Sequence, residues 1–290
     1  MRQTEDQIQV RVVEPQTRVT GRVRDLLRYR ELLVNLVRKE LRVKYKNSVL
    51  GFFWSMLNPA LYLVIFYIVF TKFLGASIPN FPIYLLSGLL AWNLWSGSLG
   101  GSVTSLLGNA NLVTKVYFPR EILPLATIGA NLINFFFQFV VLVAALIVFR
   151  YHVGPEALVL VPAALAVELV LLVGACLIVA VLNVYFRDVQ HLLELVLLAW
   201  FWMTPIVYQP AIIQAKQPLI FRIYLLNPMT AVVLAFQRGI YGQVDGVSIG
   251  GAHMSWYLTR LGLMGLGAVI LVTIGWSIFR RLESRLAEEL

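Results

Sequence analysis

Charge is what this sequence has least of. Only 13% of its 290 residues are Asp, Glu, Lys or Arg, while 59% are apolar; a soluble domain carries about 25% charged and 45–50% apolar residues. Too little charge remains to cover a water-facing surface, so the chain reads as a bilayer protein. The single Cys176 excludes an intrachain disulfide or a cysteine metal cluster and reads as small core filler in its apolar run. His152, His191 and His253 fall in separate loops or span ends without metal-ligand spacing, so no metal site is expected. There is no Asp-x-x-Asp cluster suited to lipid-linked sugar or phosphate chemistry. No GxxxxGK[ST] phosphate loop occurs either, so uphill transport would need ATP hydrolysed by another chain. No apolar stretch follows Met1, and the N-terminus is expected to stay on the side where it is made.

The charge that is present lies unevenly. Lys and Arg number 24 against 15 acids, a net +9, and twelve of the cations precede Asn47. A basic surplus gathered at one end points to a membrane face and not to nucleic acid. Crossing about 30 Å of hydrocarbon takes roughly 20 apolar residues. Five runs qualify, at 52–74, 82–107, 122–149, 157–184 and 256–279; a sixth, 189–208, is marginal because His191 and Glu194 occupy its first turns. Six spans with both termini cytoplasmic place 18 basic residues inside and six outside, as the positive-inside bias demands. The expected fold is all-α and integral to the membrane.

Two regions depart from a simple bundle. Across 22–46, Arg24, Arg28, Glu31, Asn35, Arg38 and Arg42 recur at alternating steps of four and three, and Leu26, Tyr29, Leu33, Val37 and Leu41 follow the same rhythm on another face. That pattern predicts an amphipathic helix at the cytoplasmic interface, or one packed on a partner. Across 209–255, the apolar stretches 219–226 and 230–241 are each too short to span and are divided by Asn227 and Pro228, which predicts a re-entrant hairpin on the outer side. The resulting division is a polar tail (1–21), an interface helix (22–50), a transmembrane domain (51–281, with the re-entrant gate at about 209–241) and a cytoplasmic tail (282–290).

Candidate working residues are few. Glu168 is a carboxylate within a span, a functional candidate by default; Asn131, Asn134 and Gln138 on the third span could instead satisfy it by hydrogen bonding. Trp54, Asn58, Tyr62, Phe66 and Phe70 recur at four-residue steps along the first span, with Trp92 and Trp95 in the second and Trp200, Trp202 and Tyr208 in the fifth. Aromatic faces stack on sugar C–H faces, and they also form interfacial belts. The turn 109–121 reads as a short cytoplasmic helix with Lys115, Arg120 and Glu121 exposed, and 183–194 as a second charged turn.

Several stretches together resemble the permease subunits of polysaccharide-exporting ABC transporters: RVKYKNSVLGFFWSMLNPAL (42–61), NLVTKVYFPREILPL (111–125), NVYFRDVQHLLE (183–194), WFWMTPIVY (200–208) and LLNP (225–228). The resemblance covers about residues 26–281, and the basic segment before Arg22 is longer than the family's usual pattern. It implies a type-2 exporter fold, a homodimer, and two copies of a separate ATPase carrying ATP and Mg, with no cofactor on this chain. It also implies a polyprenyl-diphosphate-linked glycan such as O-antigen or teichoic acid, moved across the bacterial inner membrane. Lys115, Tyr117, Arg120 and Glu121, with Arg187 and Asp188, become contacts to the ATPase. Arg38, Lys39, Arg42, Lys44 and Lys46 form a belt at headgroup depth for lipid or diphosphate, and Asn227 and Pro228 mark the outer gate. A drug or lipid exporter on the same fold, a membrane enzyme acting on polyprenyl-linked sugars, and a passive channel are the alternatives.

Overall fold

The computed structural model describes residues 28–46, 48, 51, 53–73, 78–244, 247–249, 252–283 and 286–289, and every regular element among them is helical. In chain order these are α1 (Arg30–Tyr45), α2 (Phe53–Phe66, prolonged by a π-helical segment Tyr67–Phe73), α3 (Phe81–Val103) and α4 (Ala110–Lys115, entered through a 3-10 turn Leu107–Asn109). There follow α5 (Ile122–Val148), α6 (Ala157–Tyr185), α7 (Val189–Trp202), α8 (Pro210–Lys216), α9 (Pro218–Tyr224), α10 (Pro228–Ile240), α11 (Met254–Glu283) and α12 (Leu286–Glu289). The predicted tail 1–21, the helix residues 22–27 and Arg285 lie outside the described residues, as do the side chains of Asn58 and Phe70.

Among the described residues, three helices, α5, α6 and α11, are long and apolar enough to cross a membrane. α3 has 23 residues, about 34 Å of helix, but Asn, Ser and Gly interrupt its apolar run. The predicted span 189–208 is helical only as far as Trp202, because Pro205 cannot continue a helix; residues 203–208 fold back as irregular chain.

α6 is the central post, touching α3, α5, α7, α10 and α11. Apolar burial gains little over lipid inside a bilayer, so close backbone approach and polar contacts decide which helices pair. The α6–α11 crossing shows this: a methyl added at Gly275 would lie 2.6 Å from the Gly174 carbonyl oxygen, and one at Gly174 2.7 Å from the Leu271 carbonyl carbon. Only hydrogen fits at either position.

The two ends of the bundle are built differently. At one, Leu36 of α1, Val113, Phe118, Ile122, Val184 and Phe279 pack together, which gathers α1, both charged turns and the C-terminal helices; we call it the basic end. At the other, Tyr241 stacks on Tyr151 and meets Tyr84 edge-on, and Arg238 pairs with both carboxylate oxygens of Glu156 at 2.9 Å. α1 packs along α5, with Val37 beside Gly129 and the Tyr45 hydroxyl donating to Asn134 at 2.8 Å.

The 209–241 region forms three helices where the sequence suggested two. Asn227 caps α10 by accepting from the Met229 amide at 3.0 Å, and Pro228 supplies the first helical residue with its φ already set. The same dipeptide therefore starts a helix as well as breaking one. Gly242, at φ +82°, ends it, its N–H reaching the Gln237 carbonyl at 3.1 Å. At 13 residues, α10 is about 20 Å long and is buried almost all round, whereas α8 and α9 leave Ile212, Leu219, Ile220 and Ile223 exposed.

Candidate functional site

At the basic end, Asn35, Arg38 and Arg42 of α1 and Lys46 just after it follow one another at steps of three and four, and with Lys39 and Val43 they line a groove of about 650 Å³. The four cations are exposed. Lys39 Nζ donates to Asn109 Oδ1, which fixes one wall of the groove to the turn after α3, and lies 3.7 Å from Glu40. Lys44 points to a different face, its ammonium 5.9 Å from the Tyr45 ring centre. Partial burial holds it below the usual lysine range. Like charges held side by side repel, so the groove's arrangement suits a multivalent anion.

The turn from α4 to α5 divides the predicted coupling residues. Lys115 and Tyr117 are exposed, Tyr117 at 72%. Arg120 is half-buried and donates from Nη1 to the Glu283 carbonyl at 2.6 Å. Glu121, expected at the surface, is 1% exposed: Phe118 and Ile122 enter the core on either side of it and carry it inward. Arg120 and Glu121 therefore belong to the base of the turn, and Lys115 and Tyr117 to its tip. The second turn presents Phe186, Arg187 and Asp188. Asn183 anchors it, donating to the Val103 carbonyl at 2.8 Å and accepting from the Gln190 amide at 3.1 Å.

The aromatic candidates separate in the same way. Trp54 and Tyr62 are exposed on α2, and Tyr62 stacks on Phe66 at 6.1 Å. Trp92 and Trp95, predicted along a glycan path, instead pack inside the bundle edge-on to Phe201 and Trp200, because α7 lies across that face of α3. Trp200 Nε1 donates to Asn227 Oδ1 at 2.7 Å, so a predicted path residue and a predicted gate residue meet. Trp202 is exposed and its carbonyl accepts from the Tyr208 hydroxyl, which also bonds Tyr224 at 2.8 Å.

The amides of α5 do not reach Glu168. Asn134 accepts from Tyr45, Asn131 donates to the Thr127 carbonyl, and Gln138 accepts from Asn93 at 2.9 Å. Both carboxyl oxygens of Glu168 lie buried without a hydrogen-bond partner among the described residues. α5 turns its amides toward α3 and α1, so the expected pairing is replaced by a polar seam between those helices.

Residues 31–241 match the family described as ABC-2 type transporter, which is most of the chain. The chain belongs to the ABC-2 type transporter family. An O-antigen export system permease protein RfbA of Myxococcus xanthus is 34% identical over 223 residues, covering 76% of this chain and 84% of the relative. An RfbA of the same description from Klebsiella pneumoniae is 30% identical over 258 residues, covering 89% of this chain and 94% of the relative. A shorter match, 28% identical over 95 residues and 32% of this chain, is to the polysialic acid transport protein KpsM of Escherichia coli.

This ABC-2 protein is thus the membrane subunit of a transporter. Two features of its surface escaped the sequence reading. One is the Lys39–Asn109 bridge, invisible because 70 residues separate its partners. The other is the seam of Asn93, Gln138 and Asn131, signalled only by the spacing of amides and glycines on two separate runs.

Proposed function

We infer that the chain is the channel-forming permease of an ATP-driven exporter that moves a polyprenyl-diphosphate-linked polysaccharide across a bacterial cytoplasmic membrane. The likeness to O-antigen export permeases over 89% of the chain carries this reading. Two copies form the channel, spanning six times each with both termini cytoplasmic. Two copies of a separate ATPase, which holds ATP and Mg, dock at the basic end. Lys115 and Tyr117 enter the ATPase surface; Arg187 and Asp188 make the flanking contact. Arg120 and Glu121 keep the turn stiff, which a lever requires, since a turn that bends absorbs the motion it should pass on.

The Arg38, Lys39, Arg42 and Lys46 groove receives the lipid diphosphate at headgroup depth, where a doubly charged group gains charge-assisted hydrogen bonds. Lys44 stays against Tyr45 and anchors the helix. Trp54, Asn58, Tyr62, Phe66, Phe70, Trp202 and Tyr208 border the glycan's lateral route. Asn227 and Pro228 hold the outer gate, in which α8 and α9 are the lightly packed parts and α10 the fixed one.

The test is genetic and biochemical together. Deleting the chain should abolish surface display of the lipid-linked glycan, and the tagged chain should co-purify with a Walker-containing ATPase. Normal glycan display in the deletion strain would overturn the export reading.

A further inference from the structure

Asn is among the best residues for starting a helix, because its side-chain oxygen accepts from an amide of the first turn. Asn stands at the start of both α10 and α4, and only one of them uses it that way. Asn227 caps α10 through the Met229 amide at 3.0 Å. Asn109 stands at the same position of α4 and caps nothing: its Oδ1 accepts from Lys39 Nζ, and its Nδ2 donates to the Ser105 carbonyl at 2.7 Å. The side chain is turned away from the helix it begins and held toward α1.

The residue that holds it is also a wall of the cationic groove. Lys39 lines the groove with Arg38, Arg42 and Lys46, and Asn109 is not among the lining residues. Lys39 is exposed, and its ammonium is a point charge on a flexible stem. A diphosphate oxygen is a stronger partner for it than a neutral amide oxygen, because both members of the bond are then ionised. An anion gathered between the other three cations therefore draws Lys39 into the groove and away from Asn109.

Resting on the export reading above, we propose that Lys39 is a switch that reports an occupied groove to the turn that meets the ATPase. With the groove empty, Lys39 clamps Asn109. With a diphosphate group in the groove, Lys39 turns to the phosphate oxygens and Asn109 Oδ1 is released to cap α4. Capping orders the start of the short helix whose other end carries Lys115, and the ordered turn docks the ATPase more tightly. Hydrolysis is thereby tied to a loaded chain. Linkage makes the effect reciprocal: the factor by which diphosphate tightens ATPase binding is the factor by which the ATPase tightens diphosphate binding, expected to be at least about fivefold.

A nitroxide on Thr114→Cys, an exposed position of α4, with Cys176→Ala reads the turn in the full chain, in nanodiscs of zwitterionic lipid and without ATPase. Polyprenyl diphosphate in the disc and inorganic diphosphate in the buffer are separate arms, which tell a lipid headgroup from a free anion. At least one of them should immobilise the label. Lys39→Arg keeps a cationic donor and should respond likewise. Lys39→Ala lacks the clamp, and Asn109→Ser shortens the reach toward Lys39 while keeping a capping oxygen, so both should show the immobilised spectrum before any diphosphate is added.

The second readout is the coupling factor, the ratio of diphosphate affinities with and without the ATPase. It should fall from at least about fivefold to near unity in Lys39→Ala. A lysine that only touched the ligand would lower both affinities alike and leave the ratio as it was. A label that responds to neither diphosphate, a Lys39→Ala chain that responds as the unaltered lysine does, or a coupling factor that survives Lys39→Ala overturns the proposal. Failure of the export reading would appear instead in the deletion strain and would leave the label result unchanged.

Discussion

Replacing Asn227 by Ala removes four hydrogen bonds at one point. Oδ1 accepts from Trp200 Nε1 at 2.7 Å and the Met229 amide at 3.0 Å; Nδ2 donates to Thr204 Oγ1 at 3.2 Å and the Met203 carbonyl at 3.3 Å. Losing the cap of α10 costs about 1 kcal/mol, and leaving the indole N–H unpaired costs about 1–3 kcal/mol. The contacts share one side chain and do not add fully, so the total is about 2–4 kcal/mol. For a chain of this size each kcal/mol moves Tm by about 2–4 °C, and Asn227→Ala should melt roughly 5–15 °C lower. Asn227→Asp keeps both acceptor bonds and sets a negative charge at a helix N-terminus, where it is favoured, so it should recover more than half of the loss. Tryptophan fluorescence during a thermal ramp in nanodiscs measures both. A wild-type Tm for Asn227→Ala, or an Asp variant no better than Ala, would refute the capping argument.

Three further outcomes follow from packing and charge. Gly275→Ala must push α11 off the Gly174 carbonyl and should cost about 1–3 kcal/mol, read as lost thermal stability. Arg238→Ala leaves Glu156 without its paired guanidinium and should cost about 1.5–3 kcal/mol by the same assay. Glu168→Leu removes a buried carboxyl whose oxygens bond to nothing among the described residues and should raise Tm, by about 1–3 kcal/mol of stability; a fall would mean that the carboxyl is satisfied in the native membrane.

Much of the fold can be read from length and apolar content alone. α5 and α6, at Ile122–Val148 and Ala157–Tyr185, lie within a residue of the runs 122–149 and 157–184, because a long, mostly apolar run in lipid satisfies its backbone polar groups within itself only as a helix. The joined motifs also named the right class of protein. What the sequence withheld was the direction in which side chains point. Glu121 looked like surface because it is charged, yet Phe118 and Ile122 on either side pull it into the core. Trp92 and Trp95 looked like a path because they are aromatic, yet α7 covers them. The α5 amides have the spacing to serve Glu168, but spacing along one helix cannot say which neighbour it faces.

The division of the α4–α5 turn into tip and base leads to the last prediction. Lys115 is exposed and Arg120 is tied to the Glu283 carbonyl, so reversing each charge should damage transport by different routes. Lys115→Glu removes a surface cation from the face proposed to meet the ATPase. Exposed charge contacts contribute less than about 1 kcal/mol and are screened by salt, so it should weaken ATPase binding several-fold at low salt, less at 0.5 M salt, and leave Tm unchanged. Arg120→Glu sets a carboxylate against a carbonyl oxygen, frees the end of α11 and should lower Tm. Its effect on ATPase binding should persist at high salt, because a loosened turn stays loosened when charges are screened. Titrating the ATPase against each variant at two salt concentrations, beside a melting curve, separates the routes. Salt-sensitive binding with an unchanged Tm for Arg120→Glu would place that side chain at the tip and refute the division.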